Sequence, residues 1–130
     1  MLASEEPKKI LVVDDEVDVT ELLGYNLKQR GFLTQSVNDP RQVLEAIRAF
    51  KPDLIVLDVM MPDLSGIQVC RLIRQESGLK GIPIIFLSAK TEEGDRIEGF
   101  ESGADDYVCK PFSPRELMLR ISAILKRGLE

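Results

Sequence analysis

Residues 54–66 read LIVLDVMMPDLSG. Four apolar residues, Leu54 to Leu57, run directly into a carboxylate, Asp58. A short, continuous apolar run suits a strand buried on both faces, as in a parallel sheet covered by helices on each side. Sheets of that class bind ligands beyond the carboxyl ends of their strands, where the strand order reverses. One stretch therefore bears on both the fold and the place where its chemistry would gather.

Outward from this strand, apolar runs alternate with amphipathic ones. Residues 9–13 (KILVV) form a first strand candidate, and a helix follows with Val19, Leu22, Leu23 and Leu27 on one face, stopped by Gly31. FLTQSV (32–37) is more polar, as an edge strand should be. Asp39 and Pro40 open a helix that turns Val43, Leu44, Ile47 and Phe50 inward. After the central strand, Ser65 and Gln68 have the spacing of a capping box, for a helix burying Val69, Cys70 and Ile73. IPIIFLSAK (82–90) is a fourth strand, and the next helix has a short apolar face of Ile97 and Phe100. DDYVCKP (105–111) is a fifth strand. Ser113, Pro114 and Glu116 then start a last helix with Leu117, Ile121, Ile124 and Leu125 facing in. Five β–α units in succession predict a doubly wound parallel α/β fold with right-handed crossovers.

Composition narrows the function. A chain of 130 residues suits one domain, and 44% hydrophobic residues supply a core. The net charge of −5 disfavours non-specific nucleic-acid binding by this segment. No apolar run approaches a membrane span, and the opening MLASEEPKK has no signal-peptide core, so a cytoplasmic location is expected. Residues 1–7 read as a flexible leader, 8–127 as the domain and 128–130 as a tail or the start of a linker. Two cysteines, Cys70 and Cys109, make no disulfide framework and read as small buried apolar residues. The chain has no histidine, so proton or phosphoryl chemistry must run on carboxylates, hydroxyls and lysine.

Four of the five strands end in residues of one chemical set: Asp14-Asp15, Asp58, Ser88 and Lys110. Each alone has an ordinary reading. Acids suit a helix start, hydroxyls end many strands, and a lysine is often a solvated charge. Together they would place three carboxylates, a hydroxyl and an ammonium on one edge. Three carboxylates in proximity need a compensating cation, and oxygen ligands with room for water suit Mg²⁺. Lys110 and Ser88 suit a phosphoryl group, and Asp58 is the best-placed nucleophile, which would yield an acyl phosphate.

The motifs VVDDE, LIVLDVMMPDLSG, IIFLSAK and GADDYVCKPFSPREL, in that order, resemble the receiver domain of bacterial two-component response regulators across about residues 8–127. The resemblance implies a flavodoxin-like (βα)5 sheet of order 2-1-3-4-5. It implies phosphoryl transfer to Asp58 from a sensor histidine kinase, with Mg²⁺ (or Mn²⁺) held by Asp14 through water, Asp15, Asp58 and the Met60 carbonyl. Ser88 and Lys110 would hold the phosphoryl oxygens, and the small Ala89 would leave the group accessible. Met60 and Lys90 would tune dephosphorylation. Tyr107 would change rotamer with phosphorylation, and the Lys110–Pro111 bond would be cis.

Arg96, Asp106, Glu116 and Arg120 resemble the set that pairs receivers of the winged-helix transcription-factor subfamily (OmpR/PhoB type) through the last two helices and last strand. Arg96–Glu116 and Asp106–Arg120 would be intermolecular pairs in a phosphorylation-promoted homodimer, although Glu116 also suits a helix cap. DNA contact would come through a C-terminal effector domain beyond residue 130. A stand-alone receiver would instead act through protein contacts alone. Rival readings fit less well. An aspartyl-phosphate phosphohydrolase of the haloacid dehalogenase kind needs an Asp two residues after its nucleophile, where this chain has Met60. A flavin module would want stacking aromatics, which are 5% here, and a degenerate receiver would lack part of the site. The domain is thus expected to be a signalling phosphoacceptor and not an enzyme.

Overall fold

A computed structural model of the chain describes residues 6–89 and 93–127. Five strands, β1 (Lys9–Val13), β2 (Leu33–Val37), β3 (Leu54–Asp58), β4 (Ile84–Ser88) and β5 (Asp106–Cys109), form one parallel sheet. Their order is β2-β1-β3-β4-β5, so the reversal lies between β1 and β3. The helices are α1 (Val17–Gln29), α2 (Val43–Phe50), α3 (Gly66–Gln75), α4 (Glu93–Glu101) and α5 (Pro114–Arg127), with a single 3-10 turn at Pro40–Gln42 leading into α2. Among the described residues no helix is long and apolar enough to cross a membrane. The expected leader and tail fall largely on residues 1–5 and 128–130, outside the described residues, as does Lys90.

Successive strand residues point to opposite faces, and both faces are buried. Leu11, Val13, Ile55, Leu57 and Phe86 pack with Val43, Ile47, Val69 and Ile73 on the α2–α3 side. Ile10, Val12, Leu54, Val56 and Leu87 pack with Leu23, Leu27, Leu117 and Ile121 on the α1–α5 side. Every residue of β3 and β4 is buried, which is why their sequences show no polar alternation. At the edge, β2 buries only Val37.

Local chemistry sets several boundaries. The Ser65 hydroxyl accepts from the Gln68 amide while Gln68 Oε1 accepts from the Ser65 amide, a complete capping box. In α5 the Ser113 hydroxyl accepts from the Glu116 amide, but the Glu116 carboxylate turns to Arg120 instead of back to the cap. Gly31 has φ of +87°, a conformation that ends the chain's path out of α1 without Cβ strain.

Two expected apolar faces differ from the structure. In α1, Leu23 and Leu27 are buried, but Leu22 is half exposed, and Thr20 and Gly24 face in instead. Small residues there face β2, and a Cβ added at Gly24 would lie 3.8 Å from the Thr34 hydroxyl, in ordinary contact. In α4, Ile97 and Phe100 are both about half exposed, and the buried residue is Gly99. A periodicity reading weights large apolar side chains and so overlooks a helix that docks through a glycine.

Candidate functional site

Strand register builds the site. Val13 pairs with Leu57, so Asp14 and Asp58 leave the sheet side by side at the reversal point. Ser88 pairs with Cys109, so Lys110 emerges one residue beyond. The Lys110 amide donates to the Ser88 carbonyl at 2.7 Å, which ties that end of β5 to β4. The Lys110–Pro111 bond is cis.

The structure brings the three carboxylates together. Asp14, Asp15 and Asp58 each offer an oxygen, and these lie within 4.8 Å of one another. Asp14 and Asp58 are buried and Asp15 is half-buried. Lys110 Nζ donates to Asp14 Oδ2 at 3.0 Å and to Asp58 Oδ1 at 3.4 Å, and lies 3.8 Å from Glu16 Oε1. The Met60 amide donates to Asp58 Oδ1 at 3.3 Å, which places residue 60 against the carboxylate while its side chain faces solvent. Ser88 is fully buried at the end of β4, and Ala89 beside it is exposed.

One ammonium does not balance this much negative charge. Burial, and then the neighbouring Asp14, push the Asp58 carboxyl up to about 6, with Lys110 and the Met60 amide pulling the other way. Burial pulls the Lys110 ammonium down, but its hydrogen bond to Asp14 and the field of Asp58 outweigh that, leaving it raised. A set of hard oxygen donors with excess negative charge and an open side fits a divalent cation such as Mg²⁺. Lys110→Met should keep the aliphatic stem and remove the sole ammonium drawn to both buried acids among the described residues. Expected is a loss of about 2 kcal/mol at pH 8, shrinking on acidification as Asp58 takes up a proton. Urea melts at pH 8 and pH 5 check this; equal losses at the two values would contradict the charge account.

Tyr107 lies on β5 beside Phe86 of β4, with ring centroids 6.0 Å apart in an edge-on arrangement. It is 2% exposed, and its hydroxyl is raised by burial despite hydrogen-bond contact with Ser88. Arg96 sits over its ring at 5.8 Å. Within a single chain, Arg120 already pairs with Asp106 at 2.9 Å and with Glu116 at 3.1 Å. Arg96, Glu116 and Arg120 line a small groove of about 210 Å³ together with Phe112 and Ser113, and Asp106 joins that surface through its pair with Arg120.

Three contributors escape a strand-end reading. Asn38, just past β2, donates to the Asp14 carbonyl at 2.8 Å and to the Thr20 hydroxyl at 3.1 Å. Glu16 donates its amide to Asp14 Oδ1 at 2.9 Å and so aims that carboxylate. Gly66 packs directly on the backbone of Asp58, and its amide donates to the Val59 carbonyl at 2.8 Å. Gly66 was visible in the opening stretch, but nothing in its spacing says that it must approach a backbone.

Comparison with known proteins matches residues 10–122 to the response regulator receiver domain. The chain is 52% identical over 121 residues to the alkaline phosphatase synthesis transcriptional regulatory protein PhoP of Bacillus subtilis (strain 168), covering 93% of this chain and 50% of that protein. It is 48% identical over 121 residues to the DNA-binding response regulator MtrA of Mycobacterium tuberculosis (strain ATCC 25618 / H37Rv), covering 93% and 52%. Among solved structures, the receiver domain of Francisella response regulator 1452 superposes with a TM-score of 0.87 at 36% identity, covering 93% of this chain and 98% of that one. The chain thus spans about half the length of the curated relatives it matches.

Proposed function

The chain belongs to the response regulator receiver domain family, and from that premise we propose that Asp58 is the residue that carries its phosphoryl group. A receiver of this kind is a two-component signalling domain and not a classical enzyme. The observation that carries the assignment to Asp58 is its position. It ends the central strand, buried, beside the Asp14 carboxylate, with the Lys110 ammonium in contact with both acids. An Asp58 oxygen attacks the phosphorus of the donor, the bond to the donor atom breaks, and an acyl phosphate forms. The donor leaves with the bonding electrons; for a sensor histidine kinase it is an imidazole nitrogen.

Asp14, Asp15 and Asp58, with the Met60 carbonyl, are the groups that would hold Mg²⁺ or Mn²⁺. When bound, the ion supplies positive charge against the phosphoryl oxygens. The protein's own groups do the rest. Lys110 neutralises charge on one oxygen, the Ser88 hydroxyl donates to another, and Glu16 and Asn38 keep Asp14 in place. Ala89 leaves the entry open, and Met60 and Lys90 are the residues that would tune dephosphorylation.

Tyr107 links the site to the surface of α4, β5 and α5 through its contact with Ser88, and phosphorylation shifts the population of that linkage. Arg96, Asp106, Glu116 and Arg120 supply the pairs for a homodimer on that surface, in which Arg120 exchanges its partner within the chain for one across it. We read 8–127 as a cytoplasmic receiver working with a C-terminal effector domain, because PhoP and MtrA, which it matches over half their length, are named as transcriptional and DNA-binding regulators.

Acetyl phosphate with Mg²⁺ tests this reading. The expected product carries one added phosphoryl group by intact mass, and sediments as a dimer. Chelation of the metal should abolish the mass change. Uptake that is indifferent to chelation would refute the metal site, and a phosphorylated monomer would refute the dimer.

A further inference from the structure

Helix α4 is held on the sheet by very little. Its buried residue is Gly99, while Ile97 and Phe100 are half exposed. Beneath Gly99 lies the ring of Tyr107. A Cβ at position 99 would come within 2.8 Å of Tyr107 Cδ2, 2.9 Å of Cε2 and 3.1 Å of Phe86 Cδ2. Both rings are flat, stiff groups; Phe86 is fully buried but at 3.1 Å needs to give only a few tenths of an ångström, so the Tyr107 ring is the principal obstacle. Gly99 lies inside the helix and, unlike Gly31 and Gly103, is not at positive φ, so the backbone does not call for glycine there. The contact does.

We propose that Gly99 is a positioning residue: its missing side chain forms the seat in which the Tyr107 ring lies beneath α4 and reaches Ser88. The proposal rests on the reading that Tyr107 links the phosphoryl site to the α4–β5–α5 surface. The ring has space to leave its seat. Tyr107 lines both the cleft between α3 and α4, a cavity of about 700 Å³, and the small groove beside Arg96 and Arg120. A methyl at position 99 therefore does not have to break the core. It can expel the ring, part it from Ser88, and leave α4 to respond no longer to what happens at Asp58.

Alanine is the better helix former, so local propensity alone predicts that Gly99→Ala stabilises the protein. The seat predicts the opposite sign, and it predicts that the sign depends on the ring. The chain has no tryptophan and two tyrosines, so in a Tyr25→Phe background Tyr107 is the one intrinsic emitter. Iodide quenching of the unphosphorylated protein then reads its exposure. Expected for Gly99→Ala is a severalfold rise in quenching and a lower melting temperature, with phosphoryl uptake from acetyl phosphate close to the parent and no further quenching change on phosphorylation. In a Tyr107→Ala background, Gly99→Ala should instead raise the melting temperature. A shielded Tyr107 in Gly99→Ala, or the same destabilisation with and without the ring, would overturn the proposal. Because the melting temperatures and the quenching of the unphosphorylated protein need no phosphate, a failure of Asp58 to take up phosphate would refute the functional reading and leave the seat standing or falling on its own.

Discussion

Asp58→Asn should take up no phosphoryl group from acetyl phosphate, a fall of at least about 100-fold, while making the metal-free protein more stable at neutral pH. The first effect follows from losing the nucleophile, since an amide oxygen forms no acyl phosphate. The second follows from the electrostatics. The folded-state pKa of Asp58 is pushed to about 6 from an ordinary value of 3.8. Between those values the folded protein binds a proton that the unfolded chain has released. Stability therefore falls as pH rises through that window, and the cost is fully present above it. Two units correspond to about 3 kcal/mol at most, net of the attraction to Lys110, and screening by water at the open side of the site reduces it. A gain of about 1–2 kcal/mol is expected at pH 7.5 in the presence of a chelator. It should fall steeply by pH 4 and vanish near about pH 3, where the parent is protonated in both states. Urea melts of the two proteins across pH 3 to 8 measure the difference. A variant less stable than the parent at pH 7.5 would show that Asp58 is held comfortably as an anion, against the account given of the site.

Gly66→Ala should be the most damaging small substitution in the molecule. A methyl there would fall on the Asp58 carbonyl oxygen, with Val59 Cα at 2.8 Å and the Asp58 carbonyl carbon at 2.9 Å. These are backbone atoms of the central strand and the loop after it, pinned by the hydrogen bond from the Gly66 amide to the Val59 carbonyl. No flexible side-chain tip is available to move aside. Overpacking of this kind costs about 3 kcal/mol or somewhat more, on the order of a 10 °C fall in melting temperature for a domain of this size. The same displacement moves Asp58 relative to Asp14 and Lys110, so phosphoryl uptake should fall at least about 10-fold in whatever fraction stays folded. Calorimetry and uptake at a temperature well below the melt separate the two effects. A Gly66→Ala protein that melts with the parent would mean that the start of α3 has slack not evident in the packing.

The two substitutions also mark what was legible from residues alone. Asp58 was legible because an apolar strand in a parallel sheet has a known end, and chemistry gathers at that end. Asp14, Ser88 and Lys110 joined it for the same reason, and register then set them side by side. The sheet order came from resemblance to a family, since periodicity alone does not rank strands. Gly66 and Gly99 were illegible as functional positions. Each matters for an atom it lacks, opposite a neighbour distant in sequence or unreadable from spacing. Asn38 was hidden because its amide supports a carbonyl of Asp14, and such second contacts leave no pattern along the chain. Leu22 misled because α1 turns its small residues toward β2 and leaves Leu22 half exposed.

The central claim is that one carboxylate among several takes the phosphoryl group. Borohydride reduction of the acetyl phosphate-treated protein, followed by peptide sequencing in a mass spectrometer, reads this directly, because an aspartyl phosphate is reduced to homoserine. The expected result is homoserine at position 58 alone, absent when the metal is chelated. Homoserine at position 14 or 15, or a stable phosphate on Ser88 with residue 58 unchanged, would contradict the account.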